Sequence, residues 1–355
     1  MSLSQLMRAL VPNRRGSRNL TAEEAFSAFD SILSGSESEI TVAAFLTALR
    51  MKGVTVEELT AFAQAARRRA VIPCVDVPNL VCVSPPNGGV EESPALEVAA
   101  GLIAAGAGAR VLILSDRCSP PKRGLTAASV LEALGTGMTW DPREAEDWVL
   151  KTRFGACSVT GMLPGLMGLR QVRGDICVRT PLSTVEKLIS PRTAAVVLGA
   201  HEGPVLGTAV QVIQGLGHPR GAAVQGPEGS VVPSITRRTR GIELTDGHLV
   251  PLNVEPEDFG LSGDEEPDMP MFGPPPDGHG AGDNPELVKF VGDQATKVLA
   301  GERGPARSAA LLAAALFLKA SGTALTLAEG VDAATSSLDS GAASEVLTRL
   351  KELTA

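Results

Sequence analysis

Residues 20–59, LTAEEAFSAFDSILSGSESEITVAAFLTALRMKGVTVEEL, set how the chain begins to fold. Thr21 and Glu24 form a capping box: the hydroxyl accepts from the N–H three residues on, and the carboxylate reaches back. Phe26, Phe29 and Leu33 follow at i, i+3 and i+7, one apolar stripe of a helix, which Gly35 stops. Val42, Phe45, Leu46 and Leu49 make a second stripe, ended at Lys52-Gly53. Thr55 and Glu58 are a second capping box, opening a helix that carries Leu59, Phe62 and Ala66. The spacing predicts three short helices with tight glycine turns, packed as a small bundle.

Beyond residue 72 the pattern changes. Leu80–Val83 and Val111–Leu114 are short apolar runs with an Ala-rich helical stretch, 95–107, between them. Ala194–Leu198 and Gly221–Val224 repeat the arrangement around a helix at 204–216. Strands alternating with helices predict an α/β domain with a mostly parallel sheet. Pro285–Leu299, Pro305–Ala320 and 326–352 read as helices. Between these lies 262–285, with six acids, six Pro, five Gly and no Lys or Arg; it buries too little to fold alone and reads as a mobile acidic loop. The expected organisation is a basic arm over 1–19, an N-terminal α domain over 20–71 joined by helices near 160–190, and a large α/β domain over 72–355.

Composition narrows the function classes. Of 355 residues, 44% are hydrophobic and 20% charged, ordinary for a globular chain, and only 3% are aromatic with no Tyr. Few side chains are left to stack bases, and a net charge of −8 gives no global attraction to nucleic acid or anionic lipid. Five scattered Cys form no CxxC pair, which reads as reduced thiols. The longest apolar run, Ala309–Leu318, is too short to span a bilayer, and the N-terminus lacks a signal-like apolar stretch. A cytoplasmic protein with no membrane partner is expected. The four His (201, 218, 248, 279) stand in separate Gly/Pro contexts, and none pairs by motif with a nucleophile.

The 20–59 run resembles the opening of anthranilate phosphoribosyltransferases, members of glycosyltransferase family 3. Val130-Leu-Glu-Ala-Leu-Gly135, Pro256-Glu-Asp-Phe-Gly-Leu261, Leu299-Ala-Gly-Glu-Arg-Gly-Pro-Ala-Arg307 and Leu338-Asp-Ser-Gly341 are similar to later signatures of that family, in order, across roughly residues 20–352. The resemblance implies a small α domain and a large α/β domain with the active cleft between them, and a homodimer through the α domains. It also implies transfer of ribose 5-phosphate from phosphoribosyl pyrophosphate to anthranilate, with magnesium and backbone amides neutralising the departing pyrophosphate.

Position by position, the chemistry departs from that pattern. Where the family has Gly-Thr-Gly-Gly-Asp, this chain has Pro85-Pro-Asn-Gly-Gly89, and two prolines remove two N–H donors. Asn87, Gly88 and Gly89 admit an anion nest or a plain turn, and the frequency of Asn-Gly turns favours the turn. The Lys-His-Gly-Asn-Arg element is replaced by Leu114-Ser-Asp-Arg-Cys-Ser-Pro-Pro-Lys-Arg-Gly124, in which Asp116 would repel an anionic donor. Arg117, Lys122 and Arg123 read either as anion ligands or as a solvated basic loop. In Gln225-Gly-Pro-Glu-Gly-Ser-Val-Val-Pro-Ser234 the metal-holding carboxylates are replaced by Val231 and Val232, so the resemblance implies that the magnesium site is lost and no cofactor is expected. Arg173 matches the arginine facing the anthranilate carboxylate; an ion pair with Asp175 or another acid explains it equally well. Arg179 matches a structural turn, and the family's late Asn is Ala313.

A divergent branch of the family resembles this chain in its Ser84-Pro-Pro-Asn-Gly88 loop, and that branch binds nucleic acid through basic surfaces. Here Glu91 and Glu92 follow the loop instead. The nucleic-acid candidates are Arg14, Arg15 and Arg18 of the arm and Arg67, Arg68 and Arg69; the bland reading of the last three is charge complementing a helix C-terminus. The favoured expectation is a non-canonical binding or regulatory protein taking a phosphorylated or carboxylate small molecule. The alternatives are a transferase with an altered donor site acting on an aromatic acid, and a nucleic-acid-binding member of the family.

Overall fold

The computed structural model describes residues 2–11, 17–201, 205–271 and 279–355. Helices α1 (Leu3–Leu10), α2 (Ala22–Leu33), α3 (Glu39–Lys52) and α4 (Val56–Arg69) form the N-terminal bundle. Both expected capping boxes are present: Thr21 Oγ1 accepts from Glu24 N–H and Thr55 Oγ1 from Glu58 N–H, with each carboxylate returning to the cap amide. Phe29 and Phe62 stack with ring centroids 4.0 Å apart and tie α2 to α4. The segment expected as a basic arm opens instead with α1, because Leu3, Leu6 and Leu10 recur at helical spacing and bury against the bundle. Arg14 and Arg15 lie outside the described residues.

The sheet has seven strands: β1 (Leu80–Ser84), β2 (Arg110–Ser115), β3 (Phe154–Ser158), β4 (Ala195–Gly199), β5 (Gly221–Val224), β6 (Thr239–Thr245) and β7 (His248–Val254). Their order is β3-β2-β1-β4-β5-β6-β7, with the first five parallel and β6 and β7 antiparallel. Helices α5 (Glu97–Gly106), α6 (Ala127–Ala133), α7 (Pro142–Thr152), α8 (Val159–Met162), α9 (Leu169–Ile176), α10 (Leu182–Val185) and α11 (Val205–Gly215) connect the strands, and α12 (Pro285–Leu299), α13 (Pro305–Ser321), α14 (Leu327–Asp339) and α15 (Ala342–Thr354) close the chain.

The central strands are apolar through their middles because both faces are covered. Val81 and Val83, Val111 and Ile113, and Ala195 and Val197 face a core built with α5 and α13. Their alternates, Leu80 and Cys82, Leu112 and Leu114, and Val196 and Leu198, face a second core continuous with the N-terminal bundle. The run Ala309–Leu318 is buried throughout as the middle of α13, a core helix. Among the described residues no helix is long and apolar enough to cross a membrane. Four cysteines are buried and Cys177 is exposed, all as free thiols.

The acidic stretch, expected as mobile, is fastened where it is described. Glu266 accepts from the Thr236 hydroxyl at 2.7 Å and the Ile235 N–H at 3.3 Å, and also from the Ser234 hydroxyl. Gly282 N–H donates to Arg123 O at 2.8 Å. Gly280 and Gly282 lie so close to the 122–124 backbone that a Cβ on either would come within 2.4 Å of a carbonyl oxygen. The glycines thus let the acidic stretch dock, because nothing larger fits at that approach.

Inside the bundle, one carboxylate holds three groups. Glu58, 0% exposed, accepts from Lys52 Nζ at 2.8 Å, Leu20 N–H at 2.7 Å and Thr55 N–H at 2.9 Å. Removing one member of a buried pair strands the other charge and costs about 3–5 kcal/mol. Glu58→Ala is therefore expected to destabilise the fold by that amount in urea denaturation while Glu23→Ala, on the exposed face of α2, leaves it nearly unchanged; equal midpoints for the two variants would contradict this role.

Candidate functional site

The strand order reverses beside β1: the chain runs β1, β2, β3 to one side, then returns to β4 and β5 on the other. In open α/β sheets this reversal leaves a crevice outside the carboxyl ends of the strands, where ligands bind. Here that place lies between the loop after β1 (85–93), the loop after β2 (116–124) and the residues after β4 and β5.

The loop after β1 is a turn. Gly89 N–H donates to Pro86 O at 2.8 Å, and Gly89 has φ +73. A Cβ at Gly89 would meet the Gly124–Leu125 backbone at 2.4 Å, because Val90 and Leu125 exchange two N–H···O bonds of 2.8 Å and Gly124 N–H donates to Gly88 O at 2.7 Å. The glycines here serve the seam between two loops. Asn87 is buried, and its Nδ2 donates to Glu186 Oε2 at 2.6 Å and Ser183 O at 3.3 Å.

Glu186 is the hub of the crevice. It is 3% exposed, and its second oxygen accepts from Arg173 Nη1 at 2.5 Å. Arg173, 7% exposed, also reaches Ser183 Oγ at 3.4 Å. The partner of Arg173 is thus Glu186, thirteen residues on, and not Asp175, which accepts from Gln171 instead. The next residue, Lys187, is buried with Nζ donating to Gly199 O at 2.7 Å. Burial pushes its ammonium down to about 7, Arg179 adds to the effect and Glu186 opposes it. Arg179 donates to His201 Nε2. Partial burial, then Arg179, Lys187 and Lys122, push that imidazole down to about 4, so it is a neutral acceptor.

The basic loop is paired. Arg117 bonds Glu132 at 2.5 Å, Lys122 bonds Glu228 at 2.7 Å, and Arg123 lies 3.8 Å from Asp283. Asp116 bonds to the C-terminal end of β3, accepting from Ser158 Oγ at 2.5 Å and Thr160 Oγ1 at 2.8 Å; burial pushes its carboxyl up. Val231 and Val232 are 0% and 6% exposed and belong to the core with α13.

With that geometry in view, the kinship is decided by likeness along the whole chain. Residues 5–70 match the helical bundle domain of a glycosyl transferase family, and residues 87–344 match its a/b domain. The chain belongs to the anthranilate phosphoribosyltransferase-like glycosyl transferase family. It is 31% identical to the anthranilate phosphoribosyltransferase of Symbiobacterium thermophilum, covering 98% of each chain, and 29% identical to that of Methanobrevibacter smithii, covering 95% of this chain and 96% of the relative. Among solved structures it is similar to the anthranilate phosphoribosyltransferase of Thermus thermophilus, with TM-score 0.80 and 25% identity over 99% and 98% of the two chains. The fold is also that of the Saccharomyces cerevisiae enzyme in complex with phosphoribosyl pyrophosphate and magnesium, with TM-score 0.79 and 18% identity over 99% and 97%.

The crevice joins Asn87 and Arg173 through Glu186. Glu186, Lys187 and His201 are crevice groups that motif reading passed over, and Arg179 was read only as part of a turn. The one sequence signal was the charged pair Glu186-Lys187 framed by Val185 and Leu188-Ile189. The described nucleic-acid candidates, Arg18, Arg67, Arg68 and Arg69, lie elsewhere and are engaged internally. Arg18 grips Glu24 with two bonds of 2.6 and 2.7 Å, Arg68 and Arg69 share Asp30 at 2.6 Å each, and Arg67 sits 3.5 Å from His218 Nε2. The arginines hold both carboxyls down at about 2.

Arg173→Ala would leave the buried Glu186 without its guanidinium partner. A loss of about 3–5 kcal/mol in unfolding free energy is expected, and Arg173→Lys should restore part of it; a variant as stable as the parent would leave Arg173 free to serve a ligand. Glu97, buried in the first turn of α5, has its carboxyl pushed by burial to about 7. Its folded value lies above the unfolded one, so between pH 4.5 and 7 the folded state binds more protons and this group's stabilisation is lost as pH rises. His201 and His218, both held near 4, act in the opposite direction over part of that window. Glu97→Gln should therefore gain stability over the parent between pH 5 and 8, approaching roughly 3 kcal/mol; parallel pH profiles of the two denaturation midpoints would count against it.

Proposed function

We propose that this chain binds a small carboxylate- or phosphate-bearing molecule in the crevice and does not carry out magnesium-dependent phosphoribosyl transfer. The observation that carries this reading is the position of Val231 and Val232, where the resemblance places the family's metal-holding carboxylates. Both side chains are spent on the hydrophobic core. A hard cation takes oxygen ligands, and valine supplies none. The two positions do not fit magnesium.

The loop after β1 supports the same reading. Its two prolines bring no N–H, and the Gly89 N–H is spent on the turn. What the crevice keeps is positive charge around Glu186: Arg173 is matched by that carboxylate, whereas Arg179 contacts neutral His201 and Lys187 contacts a carbonyl. An anion arriving near Lys187 would favour its charged form, so binding takes up protons near neutral pH. A second reading, transfer to an aromatic acid with an altered donor site, is favoured by the full-length likeness to proteins named as transferases.

Calorimetric titration with phosphoribosyl pyrophosphate separates the two. The expected result is the same isotherm with and without magnesium, and no ribosylated product when anthranilate is added. Magnesium-dependent binding, or product formation that Lys187→Met abolishes, would overturn the binding-protein reading in favour of transfer.

A further inference from the structure

Glu228 lies on the turn after β5, and its backbone is left-handed, with φ +53 and ψ +20, a conformation that L side chains rarely adopt. Its carboxylate collects donors from two other loops. Oε1 accepts from Lys122 Nζ at 2.7 Å and Glu91 N–H at 2.9 Å. Oε2 accepts from Glu92 N–H at 2.8 Å, Glu91 N–H at 3.0 Å, Ser93 N–H at 3.1 Å and Ser93 Oγ at 3.0 Å.

Three consecutive backbone amides converging on one point, with a hydroxyl and an ammonium beside them, form a receptor for an oxyanion. None of these amides belongs to a helix: α5 begins at Glu97. The loops after β1, β2 and β5 meet at this receptor, at the carboxyl end of the sheet. Lys122 passes close over Gly88, its Cβ 3.3 Å from where a Cβ on that glycine would stand. The donors are bound to the protein's own carboxylate, and the Lys122 charge is already balanced by Glu228, with a Glu91 oxygen 3.9 Å away.

We propose that Glu228 is a tethered internal ligand: its carboxylate fills an oxyanion receptor made by the 91–93 amides, Ser93 Oγ and Lys122 Nζ, and keeps phosphate-class anions out until it swings away. One feature fits a latch better than a plain structural contact. A carboxylate offers only two oxygens to six donor contacts, fewer than a phosphate would bring. The turn that carries Glu228 is packed, since a Cβ on Gly226 would come within 2.2 Å of Val232 O, so release is a swing of the Glu228 side chain alone. The inference goes beyond the binding reading above and does not depend on Val231 and Val232, so the two stand or fall on separate measurements.

The test uses the full chain, with inorganic pyrophosphate as the calorimetric probe and no divalent metal. Glu228→Gly removes the latch and suits the left-handed backbone. It is expected to bind pyrophosphate at least about tenfold more tightly than the parent, as a freed charge-assisted oxyanion site should. Adding Lys122→Ala to that variant should abolish most of the gain, and raising ionic strength should weaken it. Glu228→Gln keeps the shape but not the charge and should show a smaller gain in the same direction. Glu228→Gly with a native circular-dichroism spectrum and no tighter binding would overturn the proposal, as would a gain that survives Lys122→Ala. If the glycine variant does not fold, Glu228→Gln decides: no gain there overturns it equally.

Discussion

The burial of β1 on both faces is the constraint from which the other features of this protein follow. Val81 and Val83 look into one core and Leu80 and Cys82 into the other, so nothing polar can leave the strand sideways. Polar chemistry is confined to its carboxyl end, after Ser84, where the strand order reverses and a crevice opens. Ser84 itself marks the boundary: buried, it donates to Lys187 O at 2.9 Å and so ties the end of the strand to the helices that bring Glu186 and Lys187. The second core continues into the N-terminal bundle, which makes the bundle a structural wall of the sheet and not a loosely appended unit.

Around that crevice the protein answers most of its own charge. Arg117, Lys122, Arg123 and Arg173 each stand with a carboxylate of the same chain, and two of the pairings reach across more than a hundred residues. Glu228 and Glu186 are the carboxylates that meet Lys122 and Arg173, and Arg179 and Lys187 are left facing uncharged acceptors. The charges around the crevice are largely answered within the chain.

Much of the scaffold was legible in the chain. The two capping boxes and the stripes of 20–70 predicted α2, α3 and α4, because helix starts and apolar periodicity are local. The apolar runs at 80, 111, 194 and 221 predicted four of the five parallel strands. The β6–β7 hairpin was missed: Thr239–Thr245 and His248–Val254 carry arginine, glutamate, proline and exposed positions, as strands at a sheet edge do, and lack the continuous apolar signal. The helix α1 hid inside a segment read by its arginines, although Leu3, Leu6 and Leu10 carried the pattern.

By itself the sequence determined the helical bundle, the alternating α/β order and the turn at Asn87–Gly89, since each rests on spacing within one or two turns of chain. It also supplied the residues on which the proposed departure from the family's chemistry rests, Val231-Val232 and Pro85-Pro86. The tertiary structure alone decided what the charged residues do. Asn87 and Glu186 are 99 residues apart, and Lys122 and Glu228 are 106. No local pattern encodes such a partner; it is chosen where the fold brings loops together and burial makes an unpaired charge too costly to leave.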